Sequence, residues 1–479
     1  MQESTFVSKK MIWGLIIVFL LIYIAPLGVR PMLTPDEFRY GEIPREMIAS
    51  GDWIVPRLNG FRYFEKPVLG YWLNAVSLLV FGENAFAVRF PAALCTGLTA
   101  WLIWFMVVRI RADEKLALLS AAVFLTSGLV FGVGTFAVLD AQVTLFITAS
   151  LVFFLFASAI PRFNLSKLGW LALFGISCGL AFLTKGFVSF VVPGLAILAY
   201  LVWQKRWKDI FILPWIPLIV AILVILPWAL AIHFREPDYW RYFIWVEHWE
   251  RFFGKNDSQH PEPVWFYIPM LLVGMLPWMI MLPAAFYFCR KRLRDIFQHR
   301  LLLFSFCIIV FPFIFFSLCS GKIGTYLLPC FPGISILAAW LLLEMFKSPS
   351  AERYYCIQNR ILAVLLIVAA LGFVSIQLLA DAGYFRGIYG DSETFVWIKA
   401  VGAGLLSVIF LIAGANAKTV QMRLAWMVLF AAPPLAMSLT AAPGRFFEGK
   451  AQGVILEKYV AEIPADAVVV AHPNMIHAA

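Results

Sequence analysis

The stretch "IFILPWIPLIVAILVILPWALAI", residues 210–232, contains no charged side chain. As an α-helix it would extend ~34 Å at about 1.5 Å per residue, enough to cross the ~30 Å hydrocarbon core of a bilayer. A helix that is apolar all round has no face to give to water, so lipid or other apolar helices must surround it. The whole chain shares this character. Of its 479 residues, 62% are hydrophobic and 14% charged, against about 45–50% and about 25% in soluble domains. Apolar runs recur near 11–29, 88–108, 115–134, 140–160, 168–183, 187–203, 209–232, 264–287, 300–319, 326–346, 359–380, 396–414 and 421–440, which gives thirteen candidate spans. The fifth and sixth are short, and a single re-entrant hairpin is the competing reading there. The first follows Lys9 and Lys10 but is long for a signal sequence and lacks a small-residue cleavage site, so it is taken as a retained span.

Loop charge supplies the orientation. "RIRADEK", "PRFNLSK", "QKRWKD", "CRKRLRDIFQHR", "FKSPSAERYYCIQNR" and "NAKTVQMR" all fall on one side when the thirteen spans are threaded alternately. Short loops rich in Lys and Arg belong in the cytoplasm, which also puts the N-terminus there. The net charge of +10 is therefore a matter of topology and needs no nucleic-acid partner. Seven cysteines without metal-type spacing lie in or beside the spans, where a buried apolar role is expected.

Three longer segments fall on the opposite, outer side: 30–87, 233–263 and everything after 440. The first holds two amphipathic helix-like pieces suited to lying along a membrane surface. The second alternates aromatic and charged residues, as interfacial segments do. In the tail, "GVILEKYVAEI" has helical spacing and "AVVVAH" the look of a buried strand. One helix and one strand do not make a stable sheet domain, so 441–479 is read as the start of an incomplete small α/β domain attached to a membrane domain spanning 1–440.

The chemistry-bearing residues gather on that outer side. "TPDEFRY" at 34–40 has a helix-start pattern, with Thr34 as N-cap, Pro35 at the first helical position and Glu37 at the third. Asp36 then lies in a first turn, where free N–H groups favour an anion, although acidic residues are common there for purely structural reasons. Arg39 and Tyr40 share its helix face, and Pro44 should end or kink the helix. In "RYFEKP", Tyr63, Glu65 and Lys66 precede Pro67 in extended chain, so Glu65 and Lys66 should face different ways. Asp140 opens the fourth span, and Lys185 interrupts the fifth and sixth near apolar depth, where a charge normally has a partner or a function. "WVEHWERF" offers Glu247, His248 and Arg251, and "SGKIGTY" offers Lys322 and Tyr326. A lone His in an aromatic loop is by itself more often structural than a ligand. Together, several cations at a membrane boundary favour an anionic head group, with Lys and Arg as phosphate partners and a nearby carboxylate for acid–base or electrostatic work.

At this point the motifs resemble a known family. "PDEFRYGEIPREMIASGDWIVPRLNGFRYFEKPVLGYW", "GTFAVLDA", "TKGF", "QKRWKD", "REPDYWRYFIWVEHWERF" and "SGKIGTYLLPCF" are similar to segments of the lipid A aminoarabinose transferases. These are bacterial GT-C glycosyltransferases, related more distantly to protein O-mannosyltransferases. The resemblance implies an all-α polytopic GT-C fold of about thirteen transmembrane helices with a small periplasmic C-terminal domain. It implies transfer of 4-amino-4-deoxy-L-arabinose from undecaprenyl phosphate to a lipid A phosphate at the periplasmic face of the bacterial inner membrane, a modification that confers resistance to polymyxin and cationic peptides. By this likeness Asp36 matches the catalytic carboxylate and Asp140 a second acidic site residue. Lys66, with Arg39, Lys185, Arg251 and Tyr326, would hold the donor phosphate. Tyr40, Tyr63 and Lys322 complete the candidate substrate-binding set. Glu65 and His248 match positions associated with a divalent metal, zinc being the expected ion; no nucleotide cofactor is expected. The expected partners are the undecaprenyl-linked donor, lipid A and membrane lipids, with a monomer favoured. Rival readings are a polyprenyl-dependent transferase acting on protein or another glycan, a flippase of polyprenyl-linked sugars, and a non-catalytic lipid-binding assembly partner.

Overall fold

The computed structural model describes residues 9–250, 261–384, 386–390, 393–447 and 450. It is a mainly helical, multi-pass membrane protein. Among the described residues, nine helices are long and apolar enough to cross a bilayer: Ala85–Arg111, Asp140–Ala159, Leu165–Lys185, Trp207–Arg235, Arg300–Leu318, Gly324–Met345, Pro349–Asp381, Thr394–Asn416 and Val420–Thr440. A tenth candidate is the pair Glu114–Leu125 and Gly128–Gly134, bent by 63°. At that bend the hydroxyls of Thr126 and Ser127 donate to the carbonyls of Ala122 and Val123, a local bond that competes with the helix ladder. The other expected spans take different forms. Lys9–Phe19 continues as the π-helical turn Leu20–Ile24, Val188–Trp203 has 16 residues, and 264–289 is broken into short 3₁₀ and α pieces. Pro277 and Pro283, which lack an N–H, fall where that last segment would otherwise have to continue as one helix.

The chain forms two compact units. The first takes in Tyr40–Glu83 and Ala87–Leu342; the second takes in Lys9–Arg39, Asn84–Phe86 and the chain from Leu343 onward. In the first unit Asp140–Ala159 packs on Leu165–Lys185, which packs in turn on Trp215–Arg235. The second contact is close because "GISCG" supplies Gly175 and Gly179. A β-carbon on Gly175 would lie 2.5 Å from the Pro217 carbonyl oxygen, and one on Gly179 would lie 2.8 Å from Val224 Cβ. Small residues four apart let two helix backbones approach in this way. Away from that contact, Ile219 and Leu223 are more than half exposed, as lipid-facing side chains should be.

The 30–87 segment contains two helices, Asp36–Ser50 and Leu69–Phe81, separated by a hairpin of two-residue strands, Arg57–Leu58 and Phe61–Arg62. Its turn is Asn59-Gly60, both with positive φ, as a tight two-residue hairpin requires. Arg62 donates to Glu236 at 2.7 Å and Asp238 at 3.1 Å, and Arg235 to Asp52 at 2.7 Å. These bonds tie this segment to the start of the 233–263 segment, over a core that includes Tyr40, Val68, Tyr71, Trp228, Tyr239 and Phe243.

Of the two outcomes expected at Pro44, an end or a kink, the helix does not end there; it runs through to Ser50. A proline strips the carbonyl four residues earlier of its usual partner. Here that carbonyl belongs to Tyr40, and it accepts instead from Asn74 Nδ2 at 2.9 Å. Asn74 Oδ1 in turn accepts from Gln142 Nε2 at 3.0 Å. Asn74→Ala would leave the Tyr40 carbonyl buried without this donor, at a cost of ~1–3 kcal/mol. The purified variant should therefore melt measurably below the wild type, and an unchanged melting temperature would mean the carbonyl finds another donor.

In the second unit Pro349–Asp381 packs on Thr394–Asn416, which packs on Val420–Thr440. The helix expected near Thr34–Glu37 begins at Asp36, with a different closure from the one expected. The Thr34 hydroxyl donates to the Lys450 carbonyl at 2.9 Å. Glu37 is fully buried and accepts from both arms of Arg30, at 2.7 and 3.0 Å, and from the Leu33 N–H at 3.0 Å. The expected strand "AVVVAH" and the C-terminal α/β domain lie outside the described residues. All seven cysteines are free, and five are buried.

Candidate active site

Two helix ends in the first unit carry opposite charges to one point. Asp140 is the first residue of Asp140–Ala159, and Lys185 the last of Leu165–Lys185. An N-terminus favours an anion and a C-terminus a cation, so each charge suits its own helix. They pair at 2.6 Å between Lys185 Nζ and Asp140 Oδ1, with side chains 15% and 10% exposed. The ammonium also sits 5.0 Å from the centre of the Tyr326 ring, within range of a cation–π attraction.

Immediately after Lys185 the chain turns at Gly186, whose φ is +82°. A β-carbon there would be strained and would also meet Phe243 at 2.8 Å and His248 Nε2 at 2.9 Å. Glycine thus lets the imidazole lie against the turn. His248 Nδ1 is 2.6 Å from the Phe243 carbonyl oxygen. A carbonyl can only accept, so Nδ1 carries a proton and Nε2 is the nitrogen left toward Gly186. Phe187 and Phe243 hold the ring edge-on.

Lys66 comes from the irregular chain after the hairpin. It bonds the Glu65 carbonyl at 3.0 Å and pairs with Glu247. The expectation that Glu65 and Lys66 face differently holds: Lys66 lines the cavity described next, and Glu65 does not. Glu247 lies on the π-helical stretch Arg241–Glu250. Burial, and then the nearby Glu247 charge, push the Tyr239 phenol well above its usual range, so that phenol stays neutral.

These groups surround one cavity of about 500 Å³. Its polar wall is Lys66, Asp140, Lys185, Glu247, His248 and Tyr326. The rest is mostly apolar and includes Val143, Ile147, Phe187, Val191, Phe315 and Phe316. On this wall two ammonium groups face two carboxylates. Such a cavity can seat a charged head group while its apolar walls take a hydrocarbon chain.

Among the described candidates of the first unit, Tyr40, Tyr63, Glu65 and Lys322 do not line this cavity. Tyr40 stacks on Tyr71, with ring centres 6.1 Å apart, and belongs to the core; Tyr63 packs against the same core. Lys322 acts as a backbone clamp. It is buried and donates to the carbonyls of Cys319 at 2.6 Å and Glu262 at 2.7 Å. In the second unit, Asp36 is 43% exposed and 3.7 Å from Arg39. Arg251 lies outside the described residues. Among the described residues no group of three or more His, Cys, Asp or Glu side chains converges as metal ligands would. Sequence reasoning noted Glu247 but did not select it, although it is the carboxylate nearest Lys66. The aromatic and aliphatic wall was also missed.

Comparison with known proteins agrees with this architecture. The family model for dolichyl-phosphate-mannose-protein mannosyltransferases matches residues 9–243. The undecaprenyl phosphate-alpha-4-amino-4-deoxy-L-arabinose arabinosyl transferase of Aeromonas hydrophila is 40% identical over 370 residues, covering 75% of this chain and 66% of its own length. The protein of the same name from Shewanella sediminis is 36% identical over 466 residues, covering 96% of this chain and 82% of the relative. The crystal structure of ArnT from Cupriavidus metallidurans bound to undecaprenyl phosphate superimposes with a TM-score of 0.78 at 21% identity, covering 98% of this chain and 85% of that one; this likeness concerns the fold. At such identity over four-fifths of a relative's length, the chain belongs to the undecaprenyl phosphate-aminoarabinose arabinosyl transferase family.

Proposed function

We propose that the protein is an integral membrane glycosyltransferase that moves 4-amino-4-deoxy-L-arabinose from undecaprenyl phosphate to a phosphate of lipid A. The observation that carries this reading is the cavity itself, in which Lys66 and Lys185, with Asp140 and Glu247 beside them, stand against a wall otherwise largely apolar. That pairing suits a phosphate on a hydrocarbon tail. In this reading the N-terminal helix, the bent pair, the 16-residue helix and the broken 264–289 segment serve as crossings beside the nine long helices. The cationic loops support a cytoplasmic N-terminus and a cavity that faces the periplasm from the inner membrane.

In the reaction, an oxygen of the acceptor phosphate attacks the sugar's anomeric carbon. The bond from that carbon to the undecaprenyl phosphate oxygen breaks, and the electron pair leaves with the lipid phosphate. The acceptor is already anionic, so no base has to activate it. Lys66 and Lys185 offset the charge that grows on the leaving phosphate, commonly the largest electrostatic contribution to such a step. Asp140 holds Lys185 in place. Asp36, by family resemblance, orients the acceptor or stabilises positive charge developing on the sugar, with Arg39 beside it. His248 and Tyr326 shape the phosphate seat, and Arg251 is a further phosphate partner.

Mass spectrometry of lipid A from cells with and without the intact gene tests the reading; aminoarabinose should be present only with it. Asp36→Asn keeps the side chain's shape and removes its charge. That variant is expected to transfer roughly 10²-fold more slowly, in the range found for deleting one transition-state electrostatic contact, while still binding undecaprenyl phosphate. Near-normal transfer would remove Asp36 from the mechanism.

A further inference from the structure

The helix Val188–Trp203 also borders a second cavity in the first unit. Phe190, Gly194, Ile197 and Leu201 recur at helical spacing along one of its faces. With residues of Leu165–Lys185 and of 209–218 they enclose an apolar space of about 280 Å³. From Phe190 to Leu201 that face runs ~16 Å at about 1.5 Å per residue. No described residue lines both this space and the cavity beside Lys185. The two stand toward opposite ends of the helix Asp140–Ala159. Asp140 opens that helix at the first cavity. Ser158, ~27 Å further along at the same rise, accepts through its carbonyl from Arg206 at 3.2 Å. Among the described residues that line the second space, Asp209 alone is charged, and Arg206 bonds it at 2.6 Å.

The turn that closes Val188–Trp203 at this end has an unexpected occupant. The Arg206 N–H donates to the Leu201 carbonyl at 2.9 Å and the Lys205 N–H to the Val202 carbonyl at 3.0 Å. These are the two bonds of a helix end whose left-handed residue is commonly glycine. Here it is Lys205, with a φ of +57°, a conformation that burdens any residue with a β-carbon. Strain held at one position points to a use for its side chain. Lys205 and Lys208 are both exposed. Trp203, Trp207 and Trp215 near them are more than half exposed, as tryptophans at a bilayer's interface are.

We propose that this space is a phospholipid site, in which one acyl chain of an anionic bilayer lipid lies along Phe190–Leu201 while Lys205 and Lys208 take its head-group phosphate. A hydrocarbon chain alone would match the apolar wall but would give a strained lysine nothing to do. An amphiphile with a negative head matches both. Arg206 answers Asp209, so that carboxylate does not oppose an anionic head beside the two lysines. The lipid belongs to the leaflet away from Asp140 and Lys185, which separates it from the head group bound there.

Native mass spectrometry of the full chain in lipid-free detergent, titrated with phosphatidylglycerol or phosphatidylcholine, tests the site. Wild type should hold its first phosphatidylglycerol about 10- to 30-fold more tightly than phosphatidylcholine, as two lysines near an anionic head group would give. Lys205→Gly with Lys208→Gln should bring phosphatidylglycerol down to the phosphatidylcholine level. Lys205→Gly alone should melt no lower than wild type in detergent without lipid, because glycine relieves the turn; a lower melting temperature would make Lys205 a structural residue and overturn the proposal. A β-carbon at Gly194 meets nothing within 4 Å, so Gly194→Phe fills open space and should weaken both lipids alike. Undecaprenyl phosphate should not displace the bound phosphatidylglycerol. Equal wild-type affinity for the two lipids, a preference that survives in the double lysine variant, or undiminished binding by Gly194→Phe overturns the proposal. Displacement by undecaprenyl phosphate would give the space to the polyprenyl tail and overturn it too. Should Gly194→Phe not fold, the lysine variants still decide.

Discussion

Lys66→Ala is expected to weaken binding of undecaprenyl phosphate by about 10²- to 10³-fold. Charge-assisted hydrogen bonds contribute about 1.5–3 kcal/mol, and here the loss is compounded. Glu247, with a side chain 9% exposed, would remain in the cavity without its counter-ion and would repel an incoming phosphate. Lys66→Ala combined with Glu247→Gln should therefore bind better than Lys66→Ala alone, although removing a second polar group would ordinarily make matters worse. Calorimetry or native mass spectrometry with undecaprenyl phosphate reads both effects. Binding by Lys66→Ala within a few-fold of wild type would place the phosphate elsewhere.

The second large effect concerns stability. Asp140→Asn leaves the Lys185 ammonium, 15% exposed, next to apolar walls without its carboxylate. Breaking one side of a buried pair typically costs ~3–5 kcal/mol, whereas replacing both sides by apolar groups is often nearly neutral. Asp140→Asn should therefore lower the melting temperature clearly, and Asp140→Asn with Lys185→Met should recover most of the loss. Transfer activity should not return with stability, because Lys185 is one of the two cations serving the leaving phosphate. A double variant as active as wild type would reduce this pair to scaffolding.

These two residues also show what could be read from the chain alone. Asp140 and Lys185 stand out because each interrupts an apolar run at its end, where a charge is expensive and so usually partnered. Lys66 lines the cavity and Glu65 does not, although both lie in a bend and not in the extended chain that Pro67 suggested. Glu247 was harder to read. Within "WVEHWERF" nothing local singles out Glu247, because its pairing with Lys66 joins residues 181 positions apart. Pro44 is a different case. Its helix continues because Asn74, thirty positions away, supplies the missing donor, and no local rule contains that contact. Lys322 was chosen as a cation near a boundary, yet its ammonium donates to two backbone carbonyls. The long apolar runs located most of the helices, but the run holding Pro277 and Pro283 is broken into short pieces and the run holding Thr126-Ser127-Gly128 is bent.

The account's central claim is that the lipid phosphate sits between Lys66 and Lys185. A cryo-electron microscopy structure of the full chain with undecaprenyl phosphate tests it most directly. The phosphate is predicted within hydrogen-bonding distance of both Nζ atoms, with Lys66 turned away from Glu247 and the polyprenyl tail leaving past Phe187 and Val191. Phosphate density elsewhere, with both ion pairs unchanged and the cavity empty, would contradict it.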